Sequence, residues 1–79
     1  MDKHEFEQFV TEHGKDILRF CRMNAGSTER GNELYQDTMV KLLEKQKKLD
    51  AAQNIKSYAR QTAILLWKAR KIRRRNRHF

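Results

Sequence analysis

The sequence predicts an all-α protein, a small bundle of three helices whose third helix is long and basic. Its 79 residues include no proline and only three glycines, so few positions interrupt a helix. Apolar residues recur at three- and four-residue steps along three segments, which is the pattern of a helix with one buried face. A chain of this length forms one small domain, and we expect that domain to span residues 1–79.

The first helix is predicted from about residue 3 to residue 24. Gly14 lies near its middle and weakens it by up to about 1 kcal/mol relative to alanine, which predicts a kink or break there. Gly26 is expected to end the segment as a left-handed cap. The face predicted to be buried carries these residues: Phe6, Phe9, Val10, His13, Ile17, Leu18 and Cys21.

The second helix is predicted from about residue 28 to residue 46, with Ser27 or Thr28 as its N-cap. Its inner face carries Leu34, Tyr35, Thr38, Met39, Leu42 and Leu43. Its outer face carries Glu33, Gln36, Asp37, Val40 and Lys41. Taken alone, the outer face is best explained as an ordinary solvated surface. The uncharged pair Gln36 and Val40, one turn apart among charges, also suits docking against another helix.

The third helix is predicted from its N-cap, Asn54, to residue 76. Its inner face carries Ile55, Tyr58, Ala59, Thr62, Leu65, Leu66, Ala69 and Ile72. A separate stripe interleaves cations with apolar groups: Arg60, Ile64, Trp67, Lys71 and Arg74. Two interpretations of Trp67 are open. Its indole either stacks on unpaired bases while the cations hold the backbone, or it packs at the edge of the core.

Charge is distributed unevenly along the chain. Residues 1–53 carry nine basic and ten acidic side chains, whereas residues 54–79 carry nine basic side chains and no acidic one. Such a block predicts a polyanionic partner, because lysine and arginine displace condensed counterions from phosphate. The joint before it, Lys47–Gln53, adds amides that can hydrogen-bond base edges, although an ordinary polar turn explains this segment equally well.

The composition argues against an enzyme, a metal site or a membrane protein. His4, His13 and His78 are far apart in sequence, and the single Cys21 has no partner for a disulfide or a zinc pair. No glycine-rich phosphate loop or nucleophile–base spacing is present. No apolar run approaches the roughly 20 residues of a membrane span, and the acidic N-terminus does not resemble a signal peptide. We therefore expect a cytoplasmic protein without cofactor or metal.

The segment GNELYQDTMVKLLEK, Gly31–Lys45, resembles the second conserved region of bacterial sigma factors, particularly those of the extracytoplasmic-function type. The family pattern reads acid-acid-Leu-Val-Gln-acid-Thr-Phe-Leu-basic, and here Asn32 replaces the first acid and Met39 the aromatic residue. The upstream segment FEQFVTEHGKDILRFCRMN is similar to the family's first helix. The joint and the basic third helix are similar to its promoter-reading segment, except that Leu65 replaces a usual asparagine.

The resemblance implies a transcription-initiation subunit that docks on the clamp coiled coil of RNA polymerase and opens the promoter minus-ten element. The polymerase-facing residues would be Glu33, Gln36, Asp37, Val40 and Lys41. The joint would capture a base flipped from the non-template strand. Together with the basic stripe, this gives the following DNA-facing set: Lys47, Lys48, Asp50, Gln53, Asn54, Lys56, Arg60, Trp67, Lys68, Arg70, Lys71 and Arg74.

Sigma factors also carry a helix-turn-helix domain that reads the minus-thirty-five element, and nothing in this sequence forms one. We therefore expect a second sigma-like protein to supply it, as in a split sigma factor. The alternative is that these 79 residues are a part of an ordinary sigma factor. Two other functions stay open. One is a general helical nucleic-acid-binding module, and the other is a decoy that occupies the polymerase clamp.

Overall fold

The computed structural model describes residues 1–50 and 53–76, and within 71–76 it describes the helical backbone only. Its elements, in chain order, are α1 (Lys3–Ala25), α2 (Thr28–Glu44), a short 3₁₀ helix (Gln46–Lys48) and α3 (Ile55–Asn76). The described ranges contain no strand. The all-α, three-helix prediction is therefore confirmed.

The three helices pack in alternating directions. Lys56 and Arg60 of α3 lie against Asp16 and Phe20 of α1, so α3 runs parallel to α1. At its other end α3 reaches the first half of α2, where Arg70 contacts acids of that helix. The helix α2 is consequently antiparallel to both neighbours. This order leaves one side of α2 uncovered by α1 and α3.

The three predicted caps are present at the two joints between the helices. Gly26 has φ 77° and donates its backbone N–H to the Arg22 carbonyl at 3.0 Å, a left-handed cap. The Ser27 hydroxyl accepts a hydrogen bond of 3.2 Å from the backbone amide three residues later. The Asn54 side chain accepts one of 3.1 Å from the Ser57 amide. Each bond satisfies a backbone group that a helix end would otherwise leave without a partner.

The core lies along the line where the three helices meet. Its largest fully buried side chains are those of Ile17, Cys21, Leu34, Thr38 and Leu42. Thr38 donates its hydroxyl to the Leu34 carbonyl at 2.7 Å, so this polar group enters the core without losing a hydrogen bond. Burial of each large aliphatic side chain contributes about 1.5–3 kcal/mol.

The predicted break at Gly14 was wrong, because α1 continues through this residue to Ala25. The glycine instead makes room for a neighbouring helix. A Cβ atom at position 14 would lie 3.1 Å from the hydroxyl oxygen of Tyr35 in α2. Absence of a side chain thus lets the tyrosine ring lie across α1.

One helix boundary and three assignments to inner faces also differ from prediction. The α-helical part of α2 ends at Glu44 rather than at residue 46. Leu43 and Leu65, assigned to inner faces, are 56% and 65% exposed. Ala69 is exposed as well, and the side chain of Ile72 lies outside the described residues. The buried residues of α3 are spaced by four instead: Ile55, Ala59, Ala63 and Trp67.

The small side chains in this row explain the difference. Ala59 and Ala63 are fully buried, and their size lets the α3 backbone approach α1 and α2 closely. The face with most leucines would have held the helices farther apart. The joint also contributes to the core, because Leu49 is buried although its neighbours Lys48 and Asp50 are exposed.

Candidate functional site

The outer face of α2 is the most coherent of the predicted surfaces. All five of its predicted residues are exposed: Glu33, Gln36, Asp37, Val40 and Lys41. Val40 is 52% exposed, and Leu43, three residues further along the helix, is 56% exposed. These two side chains form a small apolar patch surrounded by charged and amide groups. Sequence reasoning missed Leu43 because its helical position also fits the edge of the inner face.

Arg70 of α3 reaches this outer face. Its Nη2 atom donates a hydrogen bond to Oδ2 of Asp37. Its Nη1 atom lies 3.6 Å from Oε2 of Glu33. The two acids are one helical turn apart on α2, so a single guanidinium spans both. Arg70 was predicted to lie along DNA, and the structure places it against the acids predicted to face polymerase.

A groove between α2 and α3 borders the outer face on its C-terminal side. Its volume is about 240 Å³, and Lys41 and Lys45 stand on its α2 wall. The Lys45 ammonium lies 5.9 Å from the centre of the Tyr58 ring, a cation–π arrangement. The α3 side of the groove is lined by Tyr58, Gln61, Thr62, Leu65 and Leu66. Lys41 therefore belongs both to the outer face and to this groove.

The opposite edge of α3 carries two of the predicted DNA-facing cations. Lys56 Nζ lies 2.9 Å from Oδ2 of Asp16 in α1, and this hydrogen bond and charge lower the pKa of the Asp16 carboxyl. The Arg60 guanidinium stands 5.7 Å from the centre of the Phe20 ring. Both cations keep exposed surface, so they lie at the α1–α3 boundary and still face solvent.

Trp67 does not lie on an exposed stripe. Its relative exposure is 9%, and it continues the buried row of α3 together with Ala63 one turn earlier. The stacking-platform interpretation is contradicted, and the edge-of-core interpretation is the one that fits. The spacing of four from Ala59 through Ala63 to Trp67 was the signal in the sequence that indicated burial.

The joint presents polar groups around one buried anchor. Lys47 and Lys48 are exposed on the 3₁₀ helix, and Asp50 is exposed after the buried Leu49. Residues 51 and 52 lie outside the described residues. Gln53 and Asn54 are exposed at the start of α3.

A cleft of about 350 Å³ separates the end of the joint from α1. Amides of Gln53 and Asn54 line it from the joint, and Gln8, Glu5 and Glu12 line it from α1. Carboxylates repel phosphate but accept hydrogen bonds from base amino groups, and amides both donate and accept. Lys56 also lines the cleft, so the amides and carboxylates can hydrogen-bond a base edge while a cation stands beside them.

The other titratable groups of the core are not placed for chemistry. Burial raises the pKa of the Cys21 thiol, and it also raises the pKa of the Tyr35 hydroxyl. Within residues 1–50 and 53–76 there is no group of three or more His, Cys, Asp or Glu side chains that could hold a metal ion. Over the same part of the chain, no helix has the length and apolar character needed to cross a membrane.

The structure divides the predicted DNA-facing residues among separate locations. Five lie on the joint or at its end, two lie at the α1–α3 boundary, and Arg70 lies against α2. Lys68 is exposed. The side chains of Lys71 and Arg74 lie outside the described residues. The polymerase-facing residues, in contrast, share one side of one helix.

Comparison with protein families identifies the class to which this bundle belongs. A family model described as Sigma-70 region 2 matches residues 9–78. The chain belongs to the sigma-70 region 2 family, and the resemblance seen in its sequence is confirmed. Sigma region 2 is a non-catalytic transcription-factor domain that binds RNA polymerase and takes part in promoter melting. Searches among curated proteins and among solved structures find no match.

Proposed function

We propose that this chain docks on the clamp coiled coil of RNA polymerase through the outer face of α2. The observation that carries this assignment is the apolar patch of Val40 and Leu43, exposed between charged groups. Exposed apolar side chains rimmed by polar ones are typical of a protein–protein interface. A helix presented in this way suits packing against the helices of a coiled coil.

The joint and α3 engage the promoter minus-ten element in this proposal. The exposed lysines of the joint, Lys47 and Lys48, attract the phosphate backbone, and the neighbouring cleft receives a base flipped from the non-template strand. Capture of a flipped base offsets part of the free energy needed to unpair it. Lys56 and Arg60, at the α1–α3 boundary, add contacts with the phosphate backbone of the DNA. The buried Trp67 packs in the core beneath this helix and is not assigned a role in binding bases.

A separate sigma-like protein supplies the contact with the minus-thirty-five element. The three described helices form the region 2 bundle, and in this proposal the minus-thirty-five contact comes from a different folded unit. Two moderate affinities for one promoter then combine through effective concentration. Transcription reconstituted with core polymerase should therefore need a minus-thirty-five-reading chain for full activity. Equal activity without any such chain would contradict this part of the proposal.

The docking surface is tested by Val40→Asp, which places a charge in the apolar patch without disturbing the core. Binding of the variant to core polymerase should weaken at least tenfold, while its binding to minus-ten DNA should stay unchanged. Met23→Asp is the matched control, because Met23 is an exposed apolar residue on α1. A general nucleic-acid-binding module would be indifferent to both changes. A decoy would respond to Val40→Asp but would inhibit transcription and never support it.

A further inference from the structure

Arg70 has two possible partners on different surfaces, the carboxylates of α2 and the DNA backbone. Sequence resemblance assigns it to the DNA backbone, and the structure shows both of its terminal nitrogens engaged by α2: Nη2 with Asp37 and Nη1 with Glu33. The Asp37 contact is a hydrogen bond and the Glu33 contact, at 3.6 Å, is an ion pair, so the guanidinium is held against α2 with its charge partly compensated. The same contact covers one side of both carboxylates on the outer face.

These ion pairs are placed where they can exchange partners. The side chains of Arg70, Asp37 and Glu33 are 27%, 49% and 59% exposed. Water reaches all three groups, so their mutual attraction is screened and is of modest strength. Such pairs change an equilibrium by up to about fivefold, which a stronger partner overcomes. A buried ion pair would be costly to break. Because these side chains are partly exposed to water, the ion pair can break and form again.

The contact also changes the charge that α2 presents. Glu33 and Asp37 are acids of the outer face, and in the free chain Arg70 neutralises part of their charge. A basic partner that approaches this face has to displace Arg70 or share the carboxylates with it. Displacement would leave the guanidinium free on α3, the helix that carries the DNA-facing cations.

We propose that Arg70 is a latch shared by the two surfaces, an inference that rests on the proposed function. In the free chain Arg70 occupies Glu33 and Asp37. When the polymerase clamp engages these carboxylates, Arg70 is released and binds a promoter phosphate. Polymerase binding and DNA binding then reinforce each other, and by linkage the coupling is equal in both directions.

Arg70→Gln in the full chain tests the latch. Removing the guanidinium should tighten binding to purified bacterial core RNA polymerase by about two- to fivefold, the factor expected for an exposed ion pair. It should also reduce the salt slope of promoter binding by about one when polymerase is present, because one phosphate contact is lost. The slope measured for the free chain should not change.

Lys68→Gln is the matched control. Lys68 is exposed on α3, two residues before Arg70, and forms no ion pair within the described residues. Its removal should leave polymerase affinity unchanged. If Lys68 contacts phosphate, Lys68→Gln should reduce the salt slope of promoter binding by the same amount with and without polymerase.

Arg70→Lys provides a second variant if the glutamine variant folds poorly. Lysine keeps the charge but cannot span two carboxylates as a planar guanidinium does. Binding to polymerase should tighten, while the salt slope with polymerase should stay at its wild-type value. The second result separates the latch from a general loss of charge on α3.

Three results would overturn the latch. Unchanged or weaker polymerase binding by Arg70→Gln would make Arg70 a brace that holds the outer face in place. An equal drop in salt slope with and without polymerase would show that Arg70 contacts phosphate in both states. If the wild-type chain fails to bind core polymerase, the proposed function falls and the latch falls with it. If the wild-type chain binds core polymerase and Arg70→Gln binds it no more tightly, the latch is overturned and the proposed function stands.

Discussion

Gly31 of α2 lies directly against the backbone of Arg22 in α1. A Cβ atom at position 31 would stand 2.4 Å from the Arg22 Cα and 2.5 Å from its Cγ. Both distances are far below van der Waals contact, so the two helices cross at a point that only glycine permits. The glycine in the family-like segment GNELYQDT thus fixes the α1–α2 packing on which the outer face of α2 depends.

Gly31→Ala should destabilise the fold by about 1–3 kcal/mol, the usual cost of overpacking. The obstructing atom is a backbone carbon, which cannot rotate away. Gly14→Ala is the comparison, because its new Cβ would meet two side-chain atoms, the hydroxyl oxygen of Tyr35 at 3.1 Å and Cγ1 of Val10 at 3.6 Å. Removal of a mid-helix glycine also favours α1 by up to about 1 kcal/mol, so this change should be close to neutral. Urea denaturation followed by circular dichroism measures both variants.

The main effect of Trp67→Ala should be a loss of folding stability and not a specific loss of DNA binding. The indole is buried among the helices, and truncation of a buried aromatic residue costs about 3–5 kcal/mol. A domain of this size has roughly that much net stability, so the variant should be largely unfolded at 25 °C. The thermal transition of the variant reports this directly. A folded variant that had lost only its affinity for single-stranded DNA would restore the stacking interpretation.

Leu65→Ala is the matched control for this prediction. Leu65 lies two residues before Trp67 on α3 but is 65% exposed. Its truncation should change the free energy of unfolding by less than about 0.5 kcal/mol, as is usual for surface positions. The difference between the two variants therefore measures burial rather than a general effect on the helix.

Cys21 should be a slow-reacting thiol in the folded chain. Its side chain is fully buried, and burial raises its pKa, so the thiolate that reacts with disulfide reagents is scarce at neutral pH. The rate at which the reagent labels Cys21 should depend on how often the helical bundle opens. Labelling should therefore become faster as urea is added. Rapid labelling in the absence of denaturant would contradict the packing of α1 against α2.

The sequence predicted the number, order and caps of the helices because these depend on local chemistry. Gly26, Ser27 and Asn54 act on their own neighbouring backbone, and each lies where it was expected. The exposed side of α2 was predicted for a similar reason, since the charges on that side are unambiguous. The match to sigma-70 region 2 likewise follows a contiguous run of residues.

The orientation of α3 could not be predicted in this way. Leucines and alanines surround this helix, and hydrophobic pattern alone favoured the side that carries Leu65. Close packing of two helices against α3 instead selected the side with Ala59 and Ala63, which brought Trp67 into the core. The contact of Arg70 with Asp37 joins residues 33 positions apart, a relation that depends on tertiary packing.

Lys56→Gln tests whether the contact between Lys56 and Asp16 holds in solution. Lys56 lowers the pKa of the Asp16 carboxyl below its ordinary value of 3.8. A carboxyl with a lowered folded-state pKa stabilises the fold above its ordinary value, and this contribution is lost as the pH falls through the folded-state pKa. NMR titration of the Asp16 carboxyl should therefore give a higher pKa in Lys56→Gln than in the wild type.

The same pair should influence DNA binding. In Asp16→Asn the Lys56 ammonium loses its partner at 2.9 Å and becomes free to meet phosphate. The salt slope of binding to minus-ten DNA should then steepen by up to about one. Glu7→Gln is the control, because Glu7 is an exposed residue of α1 that forms no ion pair within the described residues. It removes the same negative charge and should leave the slope nearly unchanged. Equal slopes in the wild type, Asp16→Asn and Glu7→Gln would show that Lys56 does not contact the DNA. The α1–α3 boundary would then not be part of the proposed DNA interface.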